Sequence, residues 1–104
     1  MVKLKFEDVL LESIDECLGS LGESSKIAVY FYLQRDYKIR NADIAENVGA
    51  FAQALEGIFG VGAEYLEALT LRIICQKAGL GLENSFDQTD FSQALLTVKK
   101  ELEC

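Results

Sequence analysis

Apolar side chains recur along this chain at intervals of three and four residues, the spacing that places side chains on one face of an α-helix. Between about Lys5 and Leu18 the opposite face is filled by acidic residues, which suit the positive end of a helix. A longer pattern runs from about Ala63 to Ala78, and a last one from about Gln88 to Leu102, with Asp87 as its cap. We expect the helix at 63–78 to lie at the centre, in contact with all the others.

The run Ile27–Leu33 is ambiguous, because aromatic and β-branched residues favour strands. We predict a helix here, since the rest of the chain offers no strand to pair with. Ser24 or Ser25 can cap this helix, which would end after Asp36. A run this apolar also predicts burial on most sides of the helix.

The middle of the chain predicts two more helices. Asn41 is a good cap for a short helix over 42–47, and the next helix carries apolar residues on one face as far as Phe59. The glycines of Gly57–Gly62 predict a sharp corner rather than a phosphate loop, because no strand precedes them and acidic residues follow. The patterns together predict an all-α fold, a compact bundle of about five helices, forming one domain over residues 1–104.

Composition and charge narrow the classes of partner. Half of the 104 residues are apolar, so the chain either buries them efficiently or shares apolar surface with a partner, and we expect a homodimer. The formal net charge of −7 repels nucleic-acid phosphates and anionic membranes, so we expect neither as a partner. A small basic cluster at Arg35, Lys38 and Arg40 is expected to complement the C-terminal end of a helix.

A helix-turn-helix interpretation is the third-ranked hypothesis. Residues 39–49 look like the first helix and turn of such a motif, with residues 50–59 as the recognition helix. That second helix offers Gln53 and Glu56 but no lysine or arginine, whereas reading bases and anchoring phosphates both need donors. The composition of residues 50–59 therefore argues against nucleic-acid binding.

Residue types also limit the chemistry. The chain has no histidine, which excludes His-based acid–base relays and His-containing metal sites. Cys17, Cys75 and Cys104 lie far apart, so they indicate a reducing, cytoplasmic location rather than a disulfide framework. We expect no cofactor, no metal and no catalytic residue, and an enzyme is the less favoured interpretation.

One candidate ligand pocket can be assembled from the sequence. Glu64 and Glu67 lie three residues apart and share a helix face. With Tyr65, and with Tyr30 and Phe31 of the second helix, they could line a pocket between the second and the central helix. The two acids could equally stabilise a helix start through the dipole. A small-ligand sensor or enzyme is therefore the alternative function.

The predicted last helix carries a narrow apolar seam. Phe91, Leu95, Val98 and Leu102 recur at four, three and four residues, which suits one neighbouring helix or a coiled-coil partner. This seam is the candidate interface of the homodimer. The leading functional hypothesis is a non-catalytic regulatory or protein-interaction module.

One set of short motifs extends over residues 22–80, more than half of the chain: Gly22–Lys26, Tyr30–Leu33, Phe51, Ala54-Leu55 and, most specifically, the string Ile58–Glu67. In these motifs the chain resembles a small archaeal family of helical output domains of the Nitrososphaera type. The resemblance implies an archaeal cytoplasmic protein, found alone or attached to signalling modules. It implies no particular activity and no catalytic residues.

Overall fold

The computed structural model of the protein describes residues 5–80 and 90–103. Five α-helices follow one another in these residues: α1 Phe6–Gly19, α2 Glu23–Tyr37, α3 Val48–Phe59, α4 Ala63–Ala78 and α5 Phe91–Glu103. A 3-10 helix at Asn41–Glu46 joins α2 to α3, and a 3-10 turn at Gly60–Gly62 forms the corner between α3 and α4. No strand occurs in this part of the chain, so the predicted all-α bundle is confirmed.

Most helix bounds agree with the predicted ones, whereas the capping residues of α2 and of the 3-10 helix differ from the prediction. α1 and α4 begin and end within one residue of the predicted positions. Ser24 and Ser25 lie inside the first turn of α2, and the residue before the helix is Gly22, whose φ of 108° suits a residue without a Cβ. Asn41 is the first residue of its 3-10 helix instead of the cap. The predicted cap Asp87 lies outside the described residues.

α1 and α4 form the most extensive helix pair of the bundle. Leu10, Ile14 and Leu18 of α1 and Ile74 of α4 are almost completely buried. α3 and α5 also pack against α4, whereas α2 packs mainly against α1 and α3. α4 therefore contacts three of the other four helices, which confirms most of its predicted central position. α1 is equally central.

Buried polar groups between α1 and α4 find partners in the backbone. The hydroxyl of Ser13 donates to the carbonyl oxygen of Val9 at 2.7 Å, and that of Thr70 donates to the carbonyl oxygen of Leu66 at 2.8 Å. The thiol of Cys17 donates to the same Leu66 oxygen at 3.4 Å, which links the two helices directly. Each group is thereby buried without an unmet hydrogen bond.

The apolar seam of α5 faces the interior of its own chain. Phe91, Leu95 and Val98 belong to the hydrophobic core, and Leu102 packs against that core half-buried. The Phe91 ring lies 6.4 Å from the ring of Phe51 on α3. The prediction that this seam binds a second copy is wrong, because α3 and α4 already occupy it. The narrow spacing of this seam predicts that a helix packs against it, but does not specify whether that helix belongs to the same chain or to a second copy.

α2 is the least buried helix of the bundle. Its buried side chains are Val29 and Leu33, so the prediction of burial on most sides is wrong. Its C-terminal end contacts α3 through Tyr37, whose hydroxyl occupies the space that a Cβ on Gly57 would need. One face of α2 therefore packs on the bundle, and the opposite face is left to the solvent.

Candidate interaction surface

The solvent-facing side of α2 carries large apolar side chains. We call Ile27, Ala28, Phe31, Tyr32 and Arg35 the outer face of α2, because all five are exposed and are three, four or one residue apart around the helix. Ile27 is 60% exposed and Phe31 is 55% exposed; among the large apolar side chains of the described residues, only Val61 and Tyr65 are more exposed. α2 is therefore apolar on two opposite sides, and its own chain covers one of them.

Arg35 orders this surface. Its guanidinium lies 5.0 Å from the centre of the Phe31 ring and 5.2 Å from that of Tyr32, within the range of a cation–π interaction. Its Nε donates to Asp36 Oδ1 at 2.8 Å, and its Nη2 donates to Asp36 Oδ2 at 3.1 Å. This bidentate pair lowers the pKa of the Asp36 carboxyl. Because the guanidinium is planar and weakly hydrated, it stacks on the two rings and forms one continuous surface with them.

The C-terminal end of α2 accounts for the basic cluster. Lys38 takes a left-handed conformation with φ 58°, and its Nζ donates to the carbonyl oxygen of Arg35 at 3.0 Å. The N–H of Ile39 donates to the carbonyl oxygen of Leu33 at 2.9 Å and closes the helix. Arg40 pairs with Asp43 at 3.1 Å and lowers the pKa of that carboxyl. The expected complement of a helix end is confirmed for Arg35, which lies in the last turn of α2, and for Lys38, which follows it, while Arg40 precedes the 3-10 helix.

Tyr30 joins α2 to α1 instead of lining the predicted pocket. Its hydroxyl donates to Asp15 Oδ1 at 3.2 Å, and Lys26 donates to Asp15 Oδ2 at 3.3 Å. Burial raises the pKa of the Tyr30 hydroxyl, and the adjacent Asp15 carboxylate raises it further. This polar cluster lies beside the buried Val29 and Leu33 on the side of α2 that faces the bundle, and Phe31 lies on the opposite side.

A different pocket opens beside Tyr30. It has a volume of about 560 Å³ and is bounded by α1, α2, the 3-10 helix and α4; its lining residues are Leu11, Glu12, Asp15, Glu16, Tyr30, Asn41 and Lys77. Lys77 Nζ lies 2.7 Å from Glu16 Oε1 and spans the pocket from α4 to α1. Lys77 pairs with Glu16 and lies 4.0 Å from Glu12, and Lys26 pairs with Asp15. The pocket therefore has three carboxylates facing two ammonium groups, and these ion pairs leave little net charge to select a ligand.

The five predicted pocket residues do not come together. Tyr30 lines the pocket just described, and Phe31 lines an open depression of about 380 Å³ with Gln34 and Arg35. Glu64 and Tyr65 are exposed on α4, and Glu67 is half-buried there. The predicted pocket between α2 and α4 is therefore wrong, because the two helices pack mainly against other neighbours.

Glu67 is the carboxyl with the most unusual environment among the described residues. Its Oε2 is buried and has no hydrogen-bond partner in the part of the chain described. Burial raises its pKa to about 7, and repulsion from Glu56, Asp90 and Glu64 adds to the effect. The dipole of α4 does not act on it strongly, since Glu67 lies beyond the first turn. No group of three or more potential metal ligands occurs among the described residues.

The outer face of α2 is the feature that sequence reasoning missed. The signal was present, because Ile27 and Phe31 lie four residues apart while Val29 and Leu33 form a second apolar pair of the same spacing. Two apolar pairs offset by two residues point to opposite sides of a helix, since two residues turn it by about 200°. The prediction interprets this pattern as burial on most sides, whereas it describes a helix with one internal and one external apolar side.

Comparisons with protein-family models, with curated proteins and with solved structures gave no match to this chain. The resemblance to archaeal output domains therefore stays a prediction. None of the described helices has the length and apolar character needed to cross a bilayer.

Proposed function

We propose that this protein is a non-catalytic interaction module that forms a homodimer, with the outer face of α2 as the contact surface. The supporting observation is the pair Ile27 and Phe31, each more than half exposed on a helix whose other side is anchored in the core. Burying such side chains is favourable by about 1.5–3 kcal/mol each when they are fully removed from water. A second copy offers the same surface and can supply that burial on both sides at once.

The regulatory part of the proposal comes from the resemblance given above. The resemblance implies that the protein is an archaeal, cytoplasmic output domain that works alone or beside signalling modules. A dimerising helix fits that role, because association is a concentration-dependent event that an attached module can promote. The wide spacing of the cysteines supports the reducing location.

The size of the surface sets the expected strength. α2 has 15 residues, which corresponds to about 22 Å of helix at about 1.5 Å per residue. One helix face of this length is smaller than the roughly 800 Å² per partner of a standard stable interface. We therefore expect a weak dimer, with a dissociation constant of about 10–100 µM.

Sedimentation equilibrium from about 1 µM to about 1 mM tests the proposal over the range in which such a dimer forms. The wild-type protein should shift from monomer to dimer, and Phe31→Glu should shift this transition to at least about tenfold higher concentration. Tyr65→Glu is the matched control, since it adds the same charge at an aromatic side chain that is 67% exposed on α4. A monomer throughout the range, or equal effects of the two variants, would contradict the proposal.

A further inference from the structure

Four residues of α2 form one continuous ridge. Glu23, Ile27, Phe31 and Arg35 are each four residues apart, and such i, i+4 rows are the ridges by which helices pack in globular proteins. All four side chains are exposed: the side chain of Glu23 is 72% exposed and that of Arg35 is 55% exposed. We call this row the α2 ridge.

The order of side chains along the α2 ridge is self-complementary. It reads acid, apolar, apolar, base, so its two halves carry matching apolar groups and opposite charges. When two copies lie antiparallel about a point midway between Ile27 and Phe31, each Ile27 meets the partner's Phe31. Each Glu23 then meets the partner's Arg35, and the contact obeys two-fold symmetry.

A parallel pairing lacks this match. It places Glu23 against the same residue of the partner, and Arg35 against its own copy, so both ends of the ridge carry like charges. On a chain with a net charge of −7, local attraction has to offset a general repulsion between copies, which makes the signs at the ends decisive.

The local hydrogen bonds leave both charged ends of the ridge available. Arg35 uses Nε and Nη2 to bind Asp36, so Nη1 can donate to a second carboxylate. Glu23 contacts Lys26 through Oε2 at 3.3 Å, and Oε1 can accept from a second donor. Neither contact has to break for a cross pair to form.

From this complementarity we infer that the homodimer is an antiparallel, two-fold pairing of α2 ridges, held by Ile27–Phe31 contacts and by two Glu23–Arg35 pairs between subunits. The inference rests on the proposed function, since it specifies the partner's arrangement on the same surface.

Charge reversal tests the pairing. Glu23→Arg and Arg35→Glu should each raise the dissociation constant about tenfold, because each puts two repulsive pairs in place of two attractive ones. The double variant Glu23→Arg/Arg35→Glu should bind at least about threefold more tightly than either single variant, because it restores two attractive pairs. It should stay weaker than wild type, since it lacks the Arg35 cation over Phe31 and Tyr32. Circular dichroism confirms that each variant is folded. Single variants that bind as wild type, or a double variant that is no better than the singles, would overturn the antiparallel pairing.

Crosslinking tests the same geometry in mixed dimers that keep one of the two Glu23–Arg35 pairs. In a Cys104→Ser background, Glu23→Cys and Arg35→Cys proteins are mixed and treated with a short bismaleimide, and the products are weighed. Residues 23 and 35 are twelve apart, so like positions lie about 18 Å apart in an antiparallel pair while unlike positions are adjacent. Crosslinks between unlike positions should therefore predominate.

The outcomes separate the two proposals. Crosslinks mainly between like positions would show a parallel pair, which refutes the ridge pairing and leaves the α2 interface intact. A sedimentation dimer that gives no crosslink refutes both the ridge and the α2 surface. A protein that stays monomeric up to about 1 mM refutes the proposed function itself.

Discussion

Replacing Leu95 by alanine should destabilise the protein strongly, because this side chain of α5 lies in the core. Leu95 is fully buried, and α5 packs against α3 and α4. Truncation of a buried leucine costs about 2–5 kcal/mol, from lost burial and from the cavity that remains. The total stability of a domain of this size is about 5–15 kcal/mol, so the variant would lose a large share of it.

Leu96→Ala is the matched control, since the two leucines are adjacent on the same helix. Leu96 is 47% exposed, and its truncation should change the free energy of unfolding by no more than about 0.5 kcal/mol. Urea unfolding followed by circular dichroism measures both variants. With a slope of about 1 kcal/mol per molar urea, Leu95→Ala should lower the midpoint by about 2–5 M and Leu96→Ala hardly at all.

Protein concentration decides whether the seam of α5 belongs to the core or to an interface. At about 1 µM the proposed dimer is dissociated, and a core leucine should still show its full effect. If the destabilisation by Leu95→Ala disappeared at this concentration, or matched that of Leu96→Ala, the placement of α5 in its own core would be refuted.

Two further predictions concern titratable groups. The pKa of Glu67 is raised from 4.5 to about 7, so the folded state keeps a proton that the unfolded state has released. Stability should therefore fall as pH rises from about 4.5 to about 7. Glu67→Gln should be more stable than wild type by about 1 kcal/mol at pH 8, after allowance for solvent screening, and equal to it near pH 4; Glu64→Gln should change little. Equal pH profiles of wild type and Glu67→Gln in urea unfolding would contradict this. In a Cys104→Ser variant, the buried Cys17 and Cys75 should react with a thiol reagent only after unfolding, because burial shields both and raises the pKa of Cys17. Rapid labelling of the native protein would contradict this placement.

The sequence was sufficient for the helices whose ends carry strong local signals. α4 was predicted at its observed bounds because glycines flank an amphipathic run, and Gly79 takes the left-handed conformation that ends the helix. The choice of helix for Ile27–Leu33 was also confirmed, and it depended on the absence of any pairing strand. Such local signals act within a few residues and need no knowledge of neighbours.

The periodicity of apolar residues does not show which helix packs against which apolar face. The seam at Phe91 and Leu95 required a helix to pack against, and only the fold shows that α3 and α4 supply it. The two apolar sides of α2 were equally good candidates for the core. In the fold, Val29 and Leu33 turn inward, and Lys26 and Tyr30 beside them contact Asp15 on α1. These contacts join distant parts of the chain, and no local pattern contains that information.

The pairing of α1 with α4 has a consequence for synthesis of the chain. α4 begins more than forty residues after α1 ends, so the apolar side of α1 leaves the ribosome long before its main packing partner. At about 5–20 residues per second this delay lasts several seconds. In that interval Leu10, Ile14 and Leu18 lack the helix that forms the most extensive contact with α1 in the folded chain. The first helix can therefore reach its final packing only after the second half of the chain has been made.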